Sequence, residues 1–222
     1  MSKYLVMGLE GDFQAYGTDS KYYMRETDVH PSKSAVVGML LAAMGEKDPN
    51  EEMLSSLTRG YMEVTAYRRP GAYIATDFHM VGSGHDTSSW DKGFQLQAEG
   101  KTLSPTKMSW RKYLCGYKFL VSLELEDELA DRVASALQNP KGSITLGRRN
   151  CLPSAPPFRK LADTLEEARE VSFQGAHQKA FVVKEGQFPE EGDPNFVNDV
   201  PVKMGVHKKY QGRHITIIRE QG

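Results

Sequence analysis

Leu5, Met7 and Leu9 recur at every second position over residues 4–9, which predicts a strand at the start of the chain. A glycine-bounded loop over 11–17 follows, carrying Phe13, Gln14 and Tyr16, and residues 21–30 are polar and irregular. The period then changes. Val36, Val37, Leu40, Leu41 and Met44 fall on one face of a helix that Ser32 or Ser34 can cap just after Pro31 and that Gly45 closes. A short helix is expected over 51–57. Alternation over 61–67 and again over 73–78, with Pro70-Gly71 as a turn signal between them, predicts a hairpin. Tyr117, Phe119, Val121, Leu123 and Leu125 give the cleanest strand of the chain. The acids 126–128 open a helix with the sign its dipole favours, Leu129, Val133, Ala134 and Leu137 form its inner face, and Asn139-Pro140 ends it. A last strand is expected over 143–146. The order strand, helix, strand, strand, helix, strand is that of an α+β, ferredoxin-like (RRM-like) β-α-β-β-α-β domain, an arrangement that recurs in RNA-binding proteins.

Residues 79–109 break this pattern. They are rich in Gly, Ser, Thr and Asp without sustained periodicity, and loops this long are usually functional or disordered. We read them as an arm inserted at about 79–110, with a hairpin through 94–97. At its base, Trp110, Arg111, Lys112 and Tyr113 interleave aromatic and basic side chains, as stacking surfaces beside phosphates do. Beyond Arg159 the pattern predicts a polar helix over 163–170 and strands over 180–184, 202–206 and 214–218, with a Pro-, Gly- and acid-rich loop over 185–201. The expected organisation is therefore a domain over 1–150 with its inserted arm and a smaller β-rich part over 151–222.

Charge sharpens this picture. The 222 residues carry a net charge of only -1, but acids and bases are segregated. No acid occurs within 100–123, 132–162 or 200–218, and each window holds several Lys or Arg. Such segregation gives a nearly neutral protein a positive face that attracts polyanions. Within the second window Gly147, Arg148, Arg149 and Asn150 follow a short apolar run. Glycine lets backbone approach closely, and paired guanidiniums suit phosphate; the alternative is a solvated loop whose arginines pair with carboxylates elsewhere. Two cysteines, Cys115 and Cys151, make no disulfide framework and fit a reduced, cytoplasmic setting. The first residues lack a signal-peptide layout, and no apolar run approaches the ~20 residues of a membrane span. None of the six histidines has a metal-ligand spacing, so no metal or cofactor is expected. Residues 82–87 lack the Lys-Ser/Thr of a phosphate-binding loop. A metal-independent endoribonuclease built on Lys112, Tyr113 and His79 or His85 is the catalytic alternative.

Four segments in order carry a family resemblance. They are the strand and loop ending Gly11-Asp12-Phe13-Gln14-Ala15-Tyr16-Gly17, the helix start Pro31-Ser32-Lys33-Ser34-Ala35-Val36-Val37-Gly38, the run Trp110-Arg111-Lys112-Tyr113-Leu114-Cys115, and Leu146-Gly147-Arg148-Arg149-Asn150-Cys151-Leu152-Pro153. Together they resemble the CasD family of type I-E Cascade subunits, within the repeat-associated RNA-binding superfamily of CRISPR-associated proteins. Phe13 and Tyr16 stand where the family has Met and Trp, Ala35 where Gly is usual, and Leu152 is inserted before the proline. The resemblance implies a non-catalytic subunit that binds the 5′ handle of the CRISPR RNA and caps the backbone filament. Its partners would be the backbone subunits and the large subunit, with target DNA reached indirectly through the complex. It also implies the site residues. Arg148, Arg149 and Asn150 would bind the handle, with Gly147 admitting it. Arg111 and Lys112 would contact phosphates beside Trp110 and Tyr113. Ser32, Lys33 and Ser34 would donate near a helix N-terminus, which favours phosphate, and Gln14 and Tyr16 would read bases. Cleavage of repeat RNA, known in a sister family, is the alternative.

Overall fold

The computed structural model describes residues 2–17, 20–21, 23–81, 97–98, 101–102, 107–205 and 207–220. In chain order the elements are β1 (Ser2–Glu10), β2 (Ser20–Lys21), β3 (Met24–Arg25), α1 (Lys33–Met44), α2 (Glu51–Thr58), β4 (Met62–Val81), β5 (Gln97–Ala98), β6 (Lys101–Thr102), β7 (Lys107–Glu126), α3 (Asp127–Gln138), β8 (Phe158–Ala162), α4 (Leu165–Arg169), β9 (Gln178–Glu185), β10 (Asp193–Lys203) and β11 (Lys209–Arg219). The main sheet runs β10-β11-β9-β4-β7-β1-β8, antiparallel throughout. The short β2–β3 pair joins it through β3, which lies parallel to β7 at Trp110 and Arg111.

The strand alternation places one core. Leu5, Met7 and Leu9 of β1 stand opposite Leu123, Val121 and Phe119 of β7, and Val64 of β4 stands opposite Val121. These side chains share a buried cluster with Val36, Val37 and Leu40 of α1 and with Ala130, Val133 and Leu137 of α3. Burial of this apolar surface is the main stabilising term. The other face is covered more thinly: Val6, Leu120, Tyr67 and Ala162 meet Ala168 of α4. Local chemistry sets the ends of α1. The Ser32 hydroxyl accepts from Ala35 N–H, and Gly45, in the left-handed region at φ 77°, donates to the last carbonyls.

Four expectations are corrected. Residues 143–146 form no strand. Ile144 and Leu146 plug the core from a loop, Leu146 O accepts from Ala15 N–H, and Leu146 N–H turns back to Cys151 O, so no ladder can form. The next strand after α3 is β8, beyond the proline-rich stretch. Pro70-Gly71 makes no hairpin. Residues 62–68 and 73–81 both pair with β7, and residues 69–72 bulge opposite Gly116, with Gly71 at φ 77° and Gly116 at φ 78°. β4 and β7 therefore form a ribbon 20 residues long on each side, which runs past residue 79. Residues 82–96 lie outside the described residues, and so does most of the hairpin expected over 94–97, although Gln97 pairs with Thr102. Finally, most of the loop expected over 185–201 is β10, and the strand expected over 202–206 falls at that strand's end. Its inward positions include Asp199 and Pro201, so no apolar alternation announces it. Residues after 150 supply β8 at one edge of the main sheet and β9, β11 and β10 at the other.

Candidate nucleic-acid interface

The loop after α3 meets the base of the ribbon. Gly147 sits at φ 90°, and a Cβ there would lie 1.7 Å from Ala15 O. The glycine is thus required by the close approach of two loops of the chain itself. Arg148 Nη1 donates to Lys112 O at 2.8 Å, Nη2 donates to Arg25 O at 2.8 Å and Glu26 O at 2.9 Å, and the guanidinium lies 5.0 Å above the Tyr113 ring. Asn150 Nδ2 donates to the Tyr113 hydroxyl at 3.0 Å. Two of the four sequence motifs thus lock together, with Arg148 fastening β3 to β7.

Several residues expected to face RNA are instead internal. Tyr113 is buried against Arg148 and the edge of Phe13, leaving no face for a base. Gln14 and Tyr16 are fully enclosed: Gln14 Nε2 donates to Tyr117 O at 2.7 Å, and the Tyr16 hydroxyl donates to Gln14 Oε1 at 2.7 Å. Burial holds the Tyr16 hydroxyl protonated, well above its ordinary range. Lys33 is 1% exposed; its Nζ donates to Gly60 O at 2.7 Å and to Glu185 Oε2 at 2.9 Å. Burial pulls its pKa below the ordinary lysine value, against the opposing charge of Glu185. The N-terminus of α1 already holds an anion, because Lys33 N–H donates to Asp199 Oδ2 at 2.7 Å. Asp199 also takes Arg213 Nε on Oδ1 at 2.7 Å and Nη2 on Oδ2 at 2.9 Å. Ser32 is occupied as the cap, and its Oγ lies 3.1 Å from that of Ser34.

The groups of the catalytic alternative are engaged separately. Lys112 Nζ pairs with Glu26 at 2.9 Å, Tyr113 is held as above, and His79 Nε2 lies 2.7 Å from Asp77. His85 falls outside the described residues. Burial raises the Cys151 thiol pKa, which disfavours the nucleophilic thiolate. Among the described residues, no three His, Cys, Asp or Glu side chains are grouped to hold a metal ion. Trp110 and Arg111 lie apart, toward the far end of the ribbon opposite Phe78 and Asp77: Trp110 is 37% exposed with its ring 5.2 Å from that of Phe78.

What remains open is a cleft of about 730 Å³ between α1, the loop 143–149 and the β10–β11 turn. Its cations are Arg25, Lys47, Arg148, Arg149 and Lys208, and no carboxylate lines it. Of these, Arg25, Lys47, Arg149 and Lys208 make no ion pair or side-chain hydrogen bond among the described residues, whereas Lys3, Lys33, Lys112, Lys118, Arg159, Arg169 and Arg213 are all paired. Unpaired cations around an acid-free cleft favour an extended anion. Of the residues expected from sequence, Ser32, Ser34, Gly147, Arg148 and Arg149 line it, and the buried Tyr16 borders it. Arg25, Lys47, Lys208 and Tyr210 were missed. The acid-free window 200–218 was the available signal for the last two; Lys47 sits among Glu46, Asp48, Glu51 and Glu52, which hide it.

Comparison with known proteins follows the same line. The model of the CRISPR-associated protein (Cas_Cas5) family matches residues 4–216. The CRISPR system Cascade subunit CasD of Escherichia coli (strain K12) is 27% identical over 161 residues, which is 71% of this chain and 70% of that protein. A chain of a solved CRISPR RNA-guided surveillance complex superposes with a TM-score of 0.73 at 26% identity, covering 97% of this chain and 89% of that one. A crystal structure of a Cas protein superposes with a TM-score of 0.66 at 26% identity, covering 97% and 94%. With nearly its whole length matched, the chain belongs to the CRISPR-associated protein (Cas_Cas5) family.

Proposed function

We propose that the chain is a non-catalytic subunit of a Cascade-type CRISPR surveillance complex and that it holds the 5′ handle of the guide RNA in the cleft beside α1. The observation that carries this reading is the acid-free cleft with its four unpaired cations. The relatedness to a Cascade subunit and to a chain of an RNA-guided complex supports it. Arg149 is the foremost phosphate ligand, with Arg25, Lys47 and Lys208 around it. Arg148, Asn150 and Gly147 build the loop that presents Arg149, and Ser34 borders the path. In this reading the strands β8-β1-β7-β4 with α1 and α3 form a ferredoxin-like unit within residues 1–150 and β8. The β-rich remainder of 151–222 closes the cleft from the other side. The distal β4–β7 ribbon is the arm. Its exposed Tyr73, Ile74, Phe78, Met80, Met108 and Trp110 suit contact with a neighbouring backbone subunit, and Arg111 suits the guide where it passes. The large subunit, target DNA through the complex and a cytoplasmic location belong to the same proposal. No described helix is long and apolar enough to cross a membrane.

The test is equilibrium binding of repeat-derived RNA by the full chain. Arg149→Glu with Lys47→Glu is expected to weaken binding about 100-fold, since each removes a phosphate contact and adds repulsion. Undiminished affinity in that variant would remove the cleft as the site. Incubation of the same RNA in chelator is expected to leave it intact, and specific cleavage would overturn the non-catalytic reading.

A further inference from the structure

One residue of α1 has no role in packing the chain. Gly38 lies in the middle of a twelve-residue helix, where glycine is less favourable than any residue but proline. A Cβ at Gly38 would meet nothing within 4 Å. The space above it belongs to the cleft, where α1 presents Ser34, Ala35, Gly38 and Ala42 beside Met39, which is 3% exposed. The cleft is also lined by Tyr210, at the start of β11 just after the β10–β11 turn. Tyr210 is 42% exposed, and its ring and hydroxyl make no ring contact or hydrogen bond among the described residues. Lys208, two residues before it, is one of the unpaired cations.

The position of this turn is not left to chance. Tyr210 pairs with Pro201 across the hairpin, and Arg213 and Asp199, one on each strand, are 8% and 2% exposed and joined by two hydrogen bonds. Asp199 in turn binds the first N–H of α1. The hairpin is thereby pinned to the same helix whose bare face lines the cleft.

We propose that a nucleobase of the bound strand seats between the Tyr210 ring and the bare face of α1 at Gly38, with its flanking phosphates on Lys208 and Arg149. The proposal rests on the cleft being the RNA site. An aromatic ring stacks any base, while a path lined by cations follows the backbone. The chemistry recognised is single-stranded RNA with at least one base turned out of its stack.

The test uses the full chain and a single-stranded RNA carrying 2-aminopurine along its length. Gly38→Leu extends an apolar side chain into the space from a Cβ position with no heavy atom within 4 Å. It is expected to raise the melting temperature, by better helix propensity, and to lower RNA affinity at least 10-fold. Tyr210→Leu is expected to lower affinity about 10-fold, the loss of one base–aromatic stack, and to abolish quenching of the 2-aminopurine. Tyr210→Phe keeps both. Should Gly38→Leu and Tyr210→Leu bind like the unaltered chain while Arg149→Glu with Lys47→Glu does not, the base seat is wrong and the cleft stands. If all of these bind alike, or the unaltered chain binds no RNA at low salt, both readings fall.

Discussion

Two sets of cations, both placed around α1, have opposite fates. Lys33 and Arg213 lie inside, tied to Glu185 and Asp199 and to backbone at Gly60 and α1. Arg25, Lys47, Arg149 and Lys208 line the neighbouring cleft without a carboxylate. The inner set has its charge neutralised and so holds elements together. The outer set keeps its charge available for a ligand. The difference teaches that basic residues beside a helix N-terminus are not by themselves an RNA site. In this chain Asp199 occupies the place a phosphate would take at α1, and Lys33 serves the fold.

The sharpest way to break this contrast is to disable the inner set. Asp199→Ala leaves Arg213 and the α1 N-terminus without their anion in a buried setting. Such a loss costs about 3–5 kcal/mol, which should shift the midpoint of urea unfolding strongly downward; a midpoint within error of the unaltered chain would deny the pair its structural role. The same site gives a pH test. Burial alone would raise the Asp199 pKa, but the hydrogen bonds and charge of Arg213, with the Lys33 N–H, more than reverse it, so the folded value lies below 3.8. A carboxyl with a depressed folded pKa contributes stability above its unfolded value of about 3.9 and loses it as pH falls through the folded one. Acid unfolding monitored by circular dichroism should therefore include a component below about pH 4 that Asp199→Ala lacks.

Gly147→Ala comes next in size. It forces alanine to φ 90° and drives a Cβ into Ala15 O, at an expected cost of about 2–3 kcal/mol. A thermal melt equal to that of the unaltered chain would show that the two loops can part freely. The outer set should respond to salt where the inner set does not. Log affinity for RNA is expected to fall with log salt, and Arg149→Ala with Lys208→Ala should reduce that slope by about 1.4, at ~0.7 per contact on a single strand. Stability of the same variant should stay within about 0.5 kcal/mol, and a slope unchanged by it would mean that these cations face water only. The smallest effect belongs to Tyr113→Phe, which removes the acceptor of the Asn150 hydrogen bond for about 1 kcal/mol. RNA affinity should not move, because the ring is buried; a clear loss would restore Tyr113 to the interface.

Elements whose pattern is local were legible. Leu5, Met7 and Leu9, and Phe119, Val121 and Leu123, mark their strands because each faces one core from one side. Ser32 and Gly45 mark the ends of α1 through bonds made within four residues. Ile144 and Leu146 misled because two alternating apolar residues bury as well from a loop as from a strand. Pro70-Gly71 misled because a bulge and a turn ask for the same residues. β10 was hidden because its inward side carries Asp199 in place of an apolar residue.

The site divides in the same way. From residue types alone came the family resemblance, the basic windows and the choice of the loop around Arg149 as a candidate, since composition and short motifs carry them. Which cations are spent inside and which face the cleft was decided only when the chain closed. Lys33 meets Asp199 across 166 residues and Glu185 across 152, and Arg148 reaches the carbonyls of Lys112 and Arg25 across 36 and 123. Pairing depends on which groups come within a few ångströms of one another, and no periodicity in a sequence records that distance.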